Sequence, residues 1–281
     1  MKFRTEIGEL RGSFSLSHDD RIVMLGSCFS DEIGRRLDDC GFNVIHNPAG
    51  PLFNPASIAR VITREEDFTT PDLYLHDDGI YHCLDYASRY SSADAGALLA
   101  TANVTRRLIT SSLNEASAAV ITFGTTRVYQ FLPGDYPAGN CHRLPAAMFV
   151  ERNLSVEDIV DLWRPLLPLL PRKLIFTLSP IRYTAYGLES NSLAKATLRV
   201  AIDKLCSLAG ADYFPAFEIL TDDLRDYRFY AEDMKHPSDV AVDYIFDCFS
   251  DAYFDNATRL KAAASYKESR RNRHIPNNNA Q

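Results

Sequence analysis

The sequence predicts a three-layer α/β/α fold with a mainly parallel sheet and β-hairpin insertions. Short apolar runs typical of buried strands recur along the chain, at residues 21–25, 118–123 and 173–178. Segments with a helical pattern separate these runs, at residues 30–40, 92–116 and 192–209. Strands that alternate with helices indicate a parallel sheet with helices on both of its faces.

Length and composition are those of an ordinary globular protein. The chain has 281 residues, of which 46% are hydrophobic and 24% are charged. These fractions exclude a disordered or fibrous chain. A chain of this length buries most of its surface on folding, so it needs neither a disulfide nor a metal to hold it together.

The amino-terminal half begins with a strand and a helix. The run at 21–25 is apolar, rich in β-branched residues and followed by Gly26, which suits a fully buried strand. Residues 30–40 carry acidic residues early, apolar residues four apart and a glycine after the end, which predicts a helix. We expect a strand at 42–45, a turn-rich loop at 47–55 and a hairpin at 73–86 with an Asp-Gly turn.

The carboxyl-terminal half repeats the alternation. A buried strand at 118–123 ends at a glycine, and a second hairpin over 126–145 lies outside the main sheet. Ser155 is a plausible N-cap for a helix that runs to about residue 170. The remaining expected elements are a strand at 173–178, a helix at 192–209, a strand and its exit at 213–219, and a helix at 239–253.

We expect one domain over residues 1–256, with insertions at about 68–116 and 126–145. Residues 257–281 contain six Lys or Arg and one Glu, and their composition predicts a basic, flexible tail. Since the whole chain carries −7 and this tail carries +5, residues 1–256 carry −12. An acidic body does not attract phosphate backbones, so we expect no nucleic-acid partner.

The cysteines and the amino terminus predict a reduced, cytoplasmic, soluble protein. Six cysteines are irregularly spaced without a Cys-x-x-Cys pair, which is too sparse for a disulfide framework. Residues 1–20 lack an apolar signal core. No apolar run approaches the roughly 20 residues that span a bilayer. We predict no metal site and no cofactor, and the oligomeric state stays open.

Cys28 is the first candidate for chemistry. It follows the first strand and lies at or beside a helix N-terminus, where unpaired N–H groups and the helix dipole favour a thiolate. A thiolate is the attacking form of cysteine. The alternative is that Cys28 is a small buried side chain and that neighbouring Ser27 caps the helix.

Asp233 and His236 are the second candidate. A carboxylate three residues before a histidine on a turn can accept the Nδ1 proton, which fixes the tautomer and leaves Nε2 to face a nucleophile. Pro237-Ser238 then starts a helix that holds the turn. The alternative is a surface turn with a helix cap.

A nucleophile after the first strand and Asp-x-x-His before the last helix resemble the arrangement of the SGNH/GDSL hydrolases. More specifically, the chain resembles the GSCFA family, whose motif stands here as Gly-Ser-Cys-Phe-Ser at 26–30. Further matching stretches are residues 47–55, 122–126, 140–142, 177–180 and 233–238. They extend from about residue 22 to 250 and imply an SGNH/flavodoxin-like architecture.

The resemblance also implies roles for individual residues. Laid on Gly-Asp-Ser-Leu-Ser, the sequence has Cys28 at the nucleophile and Ser27 at the aspartate. Gly50 takes the place of the glycine after the second strand. The N–H groups of Cys28 and Gly50 would then be two oxyanion donors.

The third oxyanion donor is left open by the sequence. The turn after the third strand is Gly-Thr-Thr at 124–126 and lacks the usual Asn. Asn140 is the candidate and Thr125 the alternative. Asn54 and His142 lie in the matching stretches, and we expect them to contact substrate.

The implied activity is acyl transfer through a covalent acyl-enzyme, as an ester hydrolase or acyltransferase. His236 would take the proton of Cys28 or stabilise its thiolate, Asp233 would orient His236, and Ser27 is the fallback nucleophile. By analogy with related enzymes, the substrate would be a small-molecule or glycan ester. The second hypothesis is a non-catalytic module that binds a small molecule or glycan on an SGNH scaffold.

One further pattern is Ser192-Leu-Ala-Lys195, which matches the Ser-x-x-Lys of serine–lysine acylases. The motifs that accompany it in those enzymes are absent from the chain. We therefore interpret it as the opening of a helix capped by Asn191 or Ser190.

Overall fold

The computed structural model describes residues 4–274. Its strands are, in chain order, β1 (Arg21–Gly26), β2 (Asn43–His46), β3 (Tyr74–Leu75), β4 (Tyr81–His82), β5 (Ser91–Ser92), β6 (Ala118–Phe123), β7 (Arg127–Phe131), β8 (Tyr136–Pro137), β9 (Phe149–Asn153), β10 (Lys173–Leu178) and β11 (Asp212–Phe214). Its α-helices are α1 (Cys28–Asp39), α2 (Pro55–Thr63), α3 (Ala95–Glu115), α4 (Val156–Trp163), α5 (Gly187–Ala209), α6 (Ala216–Glu218), α7 (Asp239–Tyr253) and α8 (Asn256–His274).

A five-stranded sheet in the order β11–β10–β6–β1–β2 forms the centre of the fold, and each adjacent pair is parallel. Its inner strands are apolar runs that are buried on both faces, as parallel sheets require. In the register, Val23 of β1 lies between Ile45 of β2 and Ala119 of β6. The carboxyl ends of β1, β6 and β10 therefore meet at one edge.

Helices cover both faces of this sheet, so the predicted three-layer α/β/α class is confirmed. Alternate strand residues point into two apolar clusters. One cluster joins the sheet to α2, α3, α4 and α5. The other joins it to α1, α7 and α8.

Two small antiparallel sheets lie outside the main one, where we predicted hairpins. The first has the order β3–β4–β5 and the second the order β8–β7–β9. In the second sheet, β9 was not predicted as a strand; it pairs with β7 along its whole length.

Several element boundaries differ from the predictions. The turn-rich loop leads directly into α2, which begins at Pro55 after the cap Asn54. The α5 helix begins at Gly187, five residues before the expected start. Beyond β11 the chain turns at once into α6 and a π-helical turn, because Pro215 ends the strand.

The predicted flexible tail is wrong for residues 257–274, which continue as α8. Thr258 and Ala262 lie one turn apart and are buried, so the helix has a packed side that its charge composition hides. The hydroxyl of Ser269 also donates to the Asp39 carboxylate, at 3.0 Å, at the end of α1. Residues 275–281 of the expected tail lie outside the described residues.

Among residues 4–274, no helix has both the length and the apolar character needed to cross a bilayer.

Candidate active site

A cavity of about 300 Å³ opens at the carboxyl ends of β1, β6 and β10. Its lining comes from the turns that follow these three strands, from the 181–185 segment and from the turn that carries His236. Ligands of open parallel sheets collect at this edge. Cys28 and His236, which are far apart in sequence, both line the cavity.

The turn after β1 is shaped by Gly26 and Asn47. Gly26 has φ of +146°, and a Cβ there would lie 2.2 Å from the Thr122 carbonyl oxygen, so only glycine lets β1 and β6 approach. Asn47 Oδ1 accepts the Gly26 N–H at 2.9 Å, and its Nδ2 donates to the Ser27 carbonyl at 3.1 Å. Asn47 thus clamps the turn that presents Cys28, a role that the sequence analysis did not identify.

Ser27 is buried and caps α1. Its hydroxyl accepts the Phe29 N–H at 3.3 Å and donates to the Ser179 hydroxyl at 2.9 Å. Ser27 is thus the helix cap that the sequence analysis gave as the alternative. Its hydroxyl oxygen, the fallback nucleophile, is held by both of these hydrogen bonds. Ser27 therefore fixes the start of α1 beneath the cavity.

Cys28 is the first residue of α1 and is partly exposed. Burial, followed by the nearby carboxylate of Asp31, raises the pKa of its thiol. The predicted lowering by the helix N-terminus is therefore outweighed, and the thiol is protonated at neutral pH. Attack by this sulfur needs a base. Within residues 4–274 the Cys28 N–H makes no hydrogen bond to another residue, as expected for the first N–H of a helix, and it interacts with the sulfur of Cys28 itself.

Asp233 holds His236 in one orientation. Its Oδ2 lies 2.6 Å from His236 Nδ1, and its Oδ1 accepts the N–H groups of Lys235 and His236 at 2.9 Å and 3.0 Å. Met234 completes this tight turn with φ of +57°. The His236 N–H, followed by its ring, holds the pKa of Asp233 far below the usual range.

This pairing leaves the other ring nitrogen free. An ionised Asp233 accepts the Nδ1 proton, so Nε2 carries the lone pair. No hydrogen bond of Nε2, to Cys28 or to any other group of the described chain, is present. The side chain of His236 is 47% exposed, so Nε2 is accessible from the cavity.

A model of the GSCFA family matches residues 21–249. The chain belongs to the GSCFA family. The match extends from β1 nearly to the end of α7 and includes Cys28, Asp233 and His236. A search of curated proteins found no match. Among solved structures, the chain is similar to a mutant of Axe2, an acetyl-xylooligosaccharide esterase from Geobacillus Stearmophilus, with 10% identity and a TM-score of 0.42, over 84% of this chain and 95% of that chain.

Gly50 and Asn54 of this GSCFA protein have local roles away from the cavity lining. The Gly50 N–H donates to the Asn47 carbonyl at 2.8 Å, so the predicted oxyanion donor already has an acceptor. Gly50 has φ of +81°, and a Cβ there would lie 2.3 Å from the Cβ of Ala87. Asn54 caps α2 by accepting the Ser57 N–H at 2.8 Å.

Asn140 and His142 are likewise outside the cavity lining. Asn140 Oδ1 accepts the His142 N–H at 2.8 Å. His142 Nδ1 lies 2.9 Å from the Ser91 hydroxyl, and Nε2 lies 3.1 Å from the carbonyls of both Cys83 and Tyr86. Burial lowers the pKa of His142 to about 4. Its ring is neutral, with both nitrogens in use.

Thr125, the alternative third donor, does line the cavity. Its backbone N–H donates to the Phe53 carbonyl at 2.9 Å, so only its side chain is available. That hydroxyl oxygen accepts the Arg127 N–H at 3.2 Å and keeps its own proton for another acceptor. The geometry thus favours Thr125 over Asn140.

Lys195 lies beneath the cavity, and the sequence analysis missed its contribution. It is fully buried, and Nζ donates to the carbonyls of Gly124 at 2.8 Å and Ser179 at 2.7 Å. These carbonyls follow β6 and β10, so one amine joins two turns of the cavity. Burial lowers the pKa of Lys195 to about 7. The sequence signals were the Ser-x-x-Lys pattern, which was set aside, and the position of the lysine on the apolar side of α5, between Ala194 and Leu198.

Within the described chain, no cluster of three or more His, Cys, Asp or Glu side chains could hold a metal ion. All six cysteines are free thiols.

Proposed function

We propose that this GSCFA protein is an SGNH-like acyl hydrolase or acyltransferase with Cys28 as nucleophile, His236 as base and Asp233 as the residue that orients the base. One observation carries the proposal. Cys28 and His236 line a single cavity at the ligand-binding edge of the sheet, and His236 has one nitrogen fixed and the other free.

Because the pKa of the Cys28 thiol is raised, the thiol must lose its proton as the sulfur attacks the substrate. His236 Nε2 removes the thiol proton as Sγ attacks the carbonyl carbon of an ester. The imidazolium, stabilised by Asp233, then protonates the leaving alkoxide, and the acyl group stays on sulfur as a thioester. Water or a second alcohol, deprotonated by His236, resolves the thioester and returns the thiol.

We infer that two groups stabilise the oxyanion of the tetrahedral intermediate. The Cys28 N–H makes no hydrogen bond to another described residue, and Thr125 lines the same cavity. Because each such donor contributes about 3 kcal/mol to transition-state stabilisation, two donors suffice for hydrolysis at a reduced rate.

The wall of the cavity supports an acylated carbohydrate as the substrate. Tyr183 lines the cavity, and its ring stacks with that of Tyr186 at 6.3 Å between centroids. The Tyr129 hydroxyl lies 3.2 Å and 3.1 Å from the hydroxyls of Tyr183 and Tyr186. The Arg127 guanidinium lies 3.5 Å from the ring centroid of Tyr186, so Tyr183 is the ring of this group that would meet a sugar, whose apolar faces and polar edges suit a tyrosine.

A second candidate is a non-catalytic binding module on the same scaffold. The raised pKa of Cys28 and the absence of a described hydrogen bond between Cys28 and His236 favour it. In this case the cavity would bind a glycan or small molecule without turning it over.

The deciding experiment compares turnover of 4-nitrophenyl acetate and acetylated monosaccharides by the wild type, Cys28→Ala and Cys206→Ala. Cys206 is a partly exposed thiol on α5, outside the cavity, and serves as the matched control. We expect Cys28→Ala to lose about 10³-fold or more of kcat with unchanged circular dichroism, and Cys206→Ala to keep full activity.

Rapid acid quenching followed by peptide mass analysis should find the acetyl group on Cys28. Full activity of Cys28→Ala, or an acetyl group on Ser27, would contradict the assignment. Binding of the sugar without turnover by any variant would favour the binding module.

A further inference from the structure

The described lining of the cavity beside Cys28 includes residues with cationic side chains and none with an acidic side chain. Arg182 and Lys235 line it together with His236, whereas its described lining contains no Asp or Glu. Within residues 4–274, neither Arg182 nor Lys235 forms a salt bridge. The nearest acid in sequence, Asp233, is engaged with His236.

Two carboxylates of α1 raise the pKa of Cys28, but they do not supply an acidic group to the cavity lining. Asp31 pairs with His46 at 2.8 Å, and Glu32 pairs with Arg36 at 3.2 Å. Neither acidic residue lines the cavity. Two residues with cationic side chains therefore line the cavity of a protein whose chain has a net charge of −7.

Arg182 is held in place by aromatic rings instead of by an acid. Its guanidinium carbon lies 3.9 Å from the ring centroid of Tyr230 and 5.2 Å from that of Tyr227. Its backbone N–H donates to the Lys235 carbonyl at 3.0 Å, which ties it to the turn that carries His236. The guanidinium also interacts with the Tyr230 hydroxyl, and stacking of this kind fixes its plane while most of its five N–H donors stay available to another group.

We propose that Arg182, assisted by Lys235, selects an ester that carries an anionic group, a carboxylate or a phosphate, close to its acyl carbonyl. This inference rests on the proposed function and narrows its substrate class to esters that carry an anionic group. A pre-oriented guanidinium binds either anion through paired hydrogen bonds. Arg182 is thus a specificity-determining residue, and Lys235 adds a second positive charge.

The kinetic test uses three acetyl esters of similar size: 4-acetoxybenzoate, 4-acetoxyphenyl phosphate and the neutral methyl 4-acetoxybenzoate. The measured quantity is kcat/KM for each anionic ester divided by that for the neutral one. The variants are Arg182→Gln and the control Arg172→Gln. Arg172 is an exposed arginine before the other end of β10, so both variants remove one positive charge.

We expect Arg182→Gln to lower the ratio about tenfold for at least one anionic ester, and Arg172→Gln to leave it unchanged. The ester whose ratio falls more identifies the anion as carboxylate or phosphate. A ratio that is the same in the wild type and Arg182→Gln for both anionic esters overturns the proposal.

A second measurement does not depend on turnover. Cys28 is alkylated with anionic iodoacetate or with neutral iodoacetamide, and the rates are read from the mass of the Cys28 peptide. We expect Arg182→Gln and Lys235→Gln each to lower the iodoacetate-to-iodoacetamide ratio at Cys28 by about threefold, with no change at Cys206.

The two measurements separate the two proposals. A changed alkylation ratio in a protein that hydrolyses no ester supports the anion site and contradicts the proposed function. Cys28-dependent hydrolysis with both ratios unchanged supports the proposed function and overturns the anion site.

Discussion

Two histidines of this protein, His236 and His142, were both predicted to serve the site, and their surroundings differ in one respect. His236 has a carboxylate at Nδ1 and no described partner at Nε2. His142 has a hydroxyl at Nδ1 and two carbonyls at Nε2. The first is half exposed at the cavity, and the second is packed beneath the insertion that carries β3, β4 and β5.

This difference separates a histidine that can move a proton from one that cannot. A general base needs one nitrogen fixed and one nitrogen free to accept a proton. In His142 the carbonyls at Nε2 require a proton there, and burial opposes a second proton on Nδ1. His142 therefore joins loop segments, whereas His236 is equipped for chemistry.

The largest expected effect follows from this comparison. We expect His236→Asn to lower kcat/KM for 4-nitrophenyl acetate by about 10³-fold, because general-base catalysis is lost. His142→Asn should change the same value by less than about threefold, because none of the residues described in contact with its ring belongs to the cavity lining. Steady-state kinetics on folded samples of both variants provides the check.

Melting temperatures of the two variants supply the control. Replacement of the exposed His236 should leave the melting temperature unchanged, while His142→Asn should lower it, because three hydrogen bonds of its ring are lost. Equal losses of activity in both variants would contradict the comparison.

A smaller effect is expected for Lys195, which supports the cavity without facing it. Lys195→Met removes the donor shared by the carbonyls of Gly124 and Ser179, so the two turns should loosen. We expect kcat to fall about tenfold with little change in KM. A wild-type kcat in Lys195→Met would show that the turns hold their positions without the amine.

Lys195 should also make the free energy of unfolding depend on pH. Because its folded pKa is lowered to about 7, the unfolded chain binds more protons between that value and about 10. The free energy of unfolding should therefore rise with pH in this window, by about 2 kcal/mol between pH 7 and pH 9 relative to Lys195→Met. Urea unfolding of both proteins at the two pH values measures it.

The elements that the sequence predicted well are those whose signal is local. The run at 21–25 and its glycine gave β1, and Asp233 and His236 were paired from their spacing alone. The missed features depend on distant residues. Asn47 clamps a turn 20 residues away, and Lys195 bonds carbonyls that follow two different strands.

The error at α8 has a related physical cause. Its composition is dominated by solvated basic residues, and the small residues Thr258 and Ala262 that pack it carry almost no hydrophobic signal. The prediction for Gly50 met a different obstacle, because family position shows where a donor is expected and not whether its N–H already has an acceptor.

The smallest expected effect concerns His142 in acid. Its folded pKa of about 4 lies below the value of about 6.5 in the unfolded chain, so unfolding takes up a proton as the pH falls. The wild type should therefore lose about 1 kcal/mol more stability between pH 7 and pH 5 than His142→Asn does, after allowance for solvent.

The neighbouring His82 ring, at 5.0 Å, adds repulsion when both are charged. Urea unfolding at both pH values gives the difference, and an equal loss in His142→Asn would mean that the pKa of His142 is not lowered by burial. In that case burial would no longer explain why this histidine, unlike His236, cannot accept a second proton.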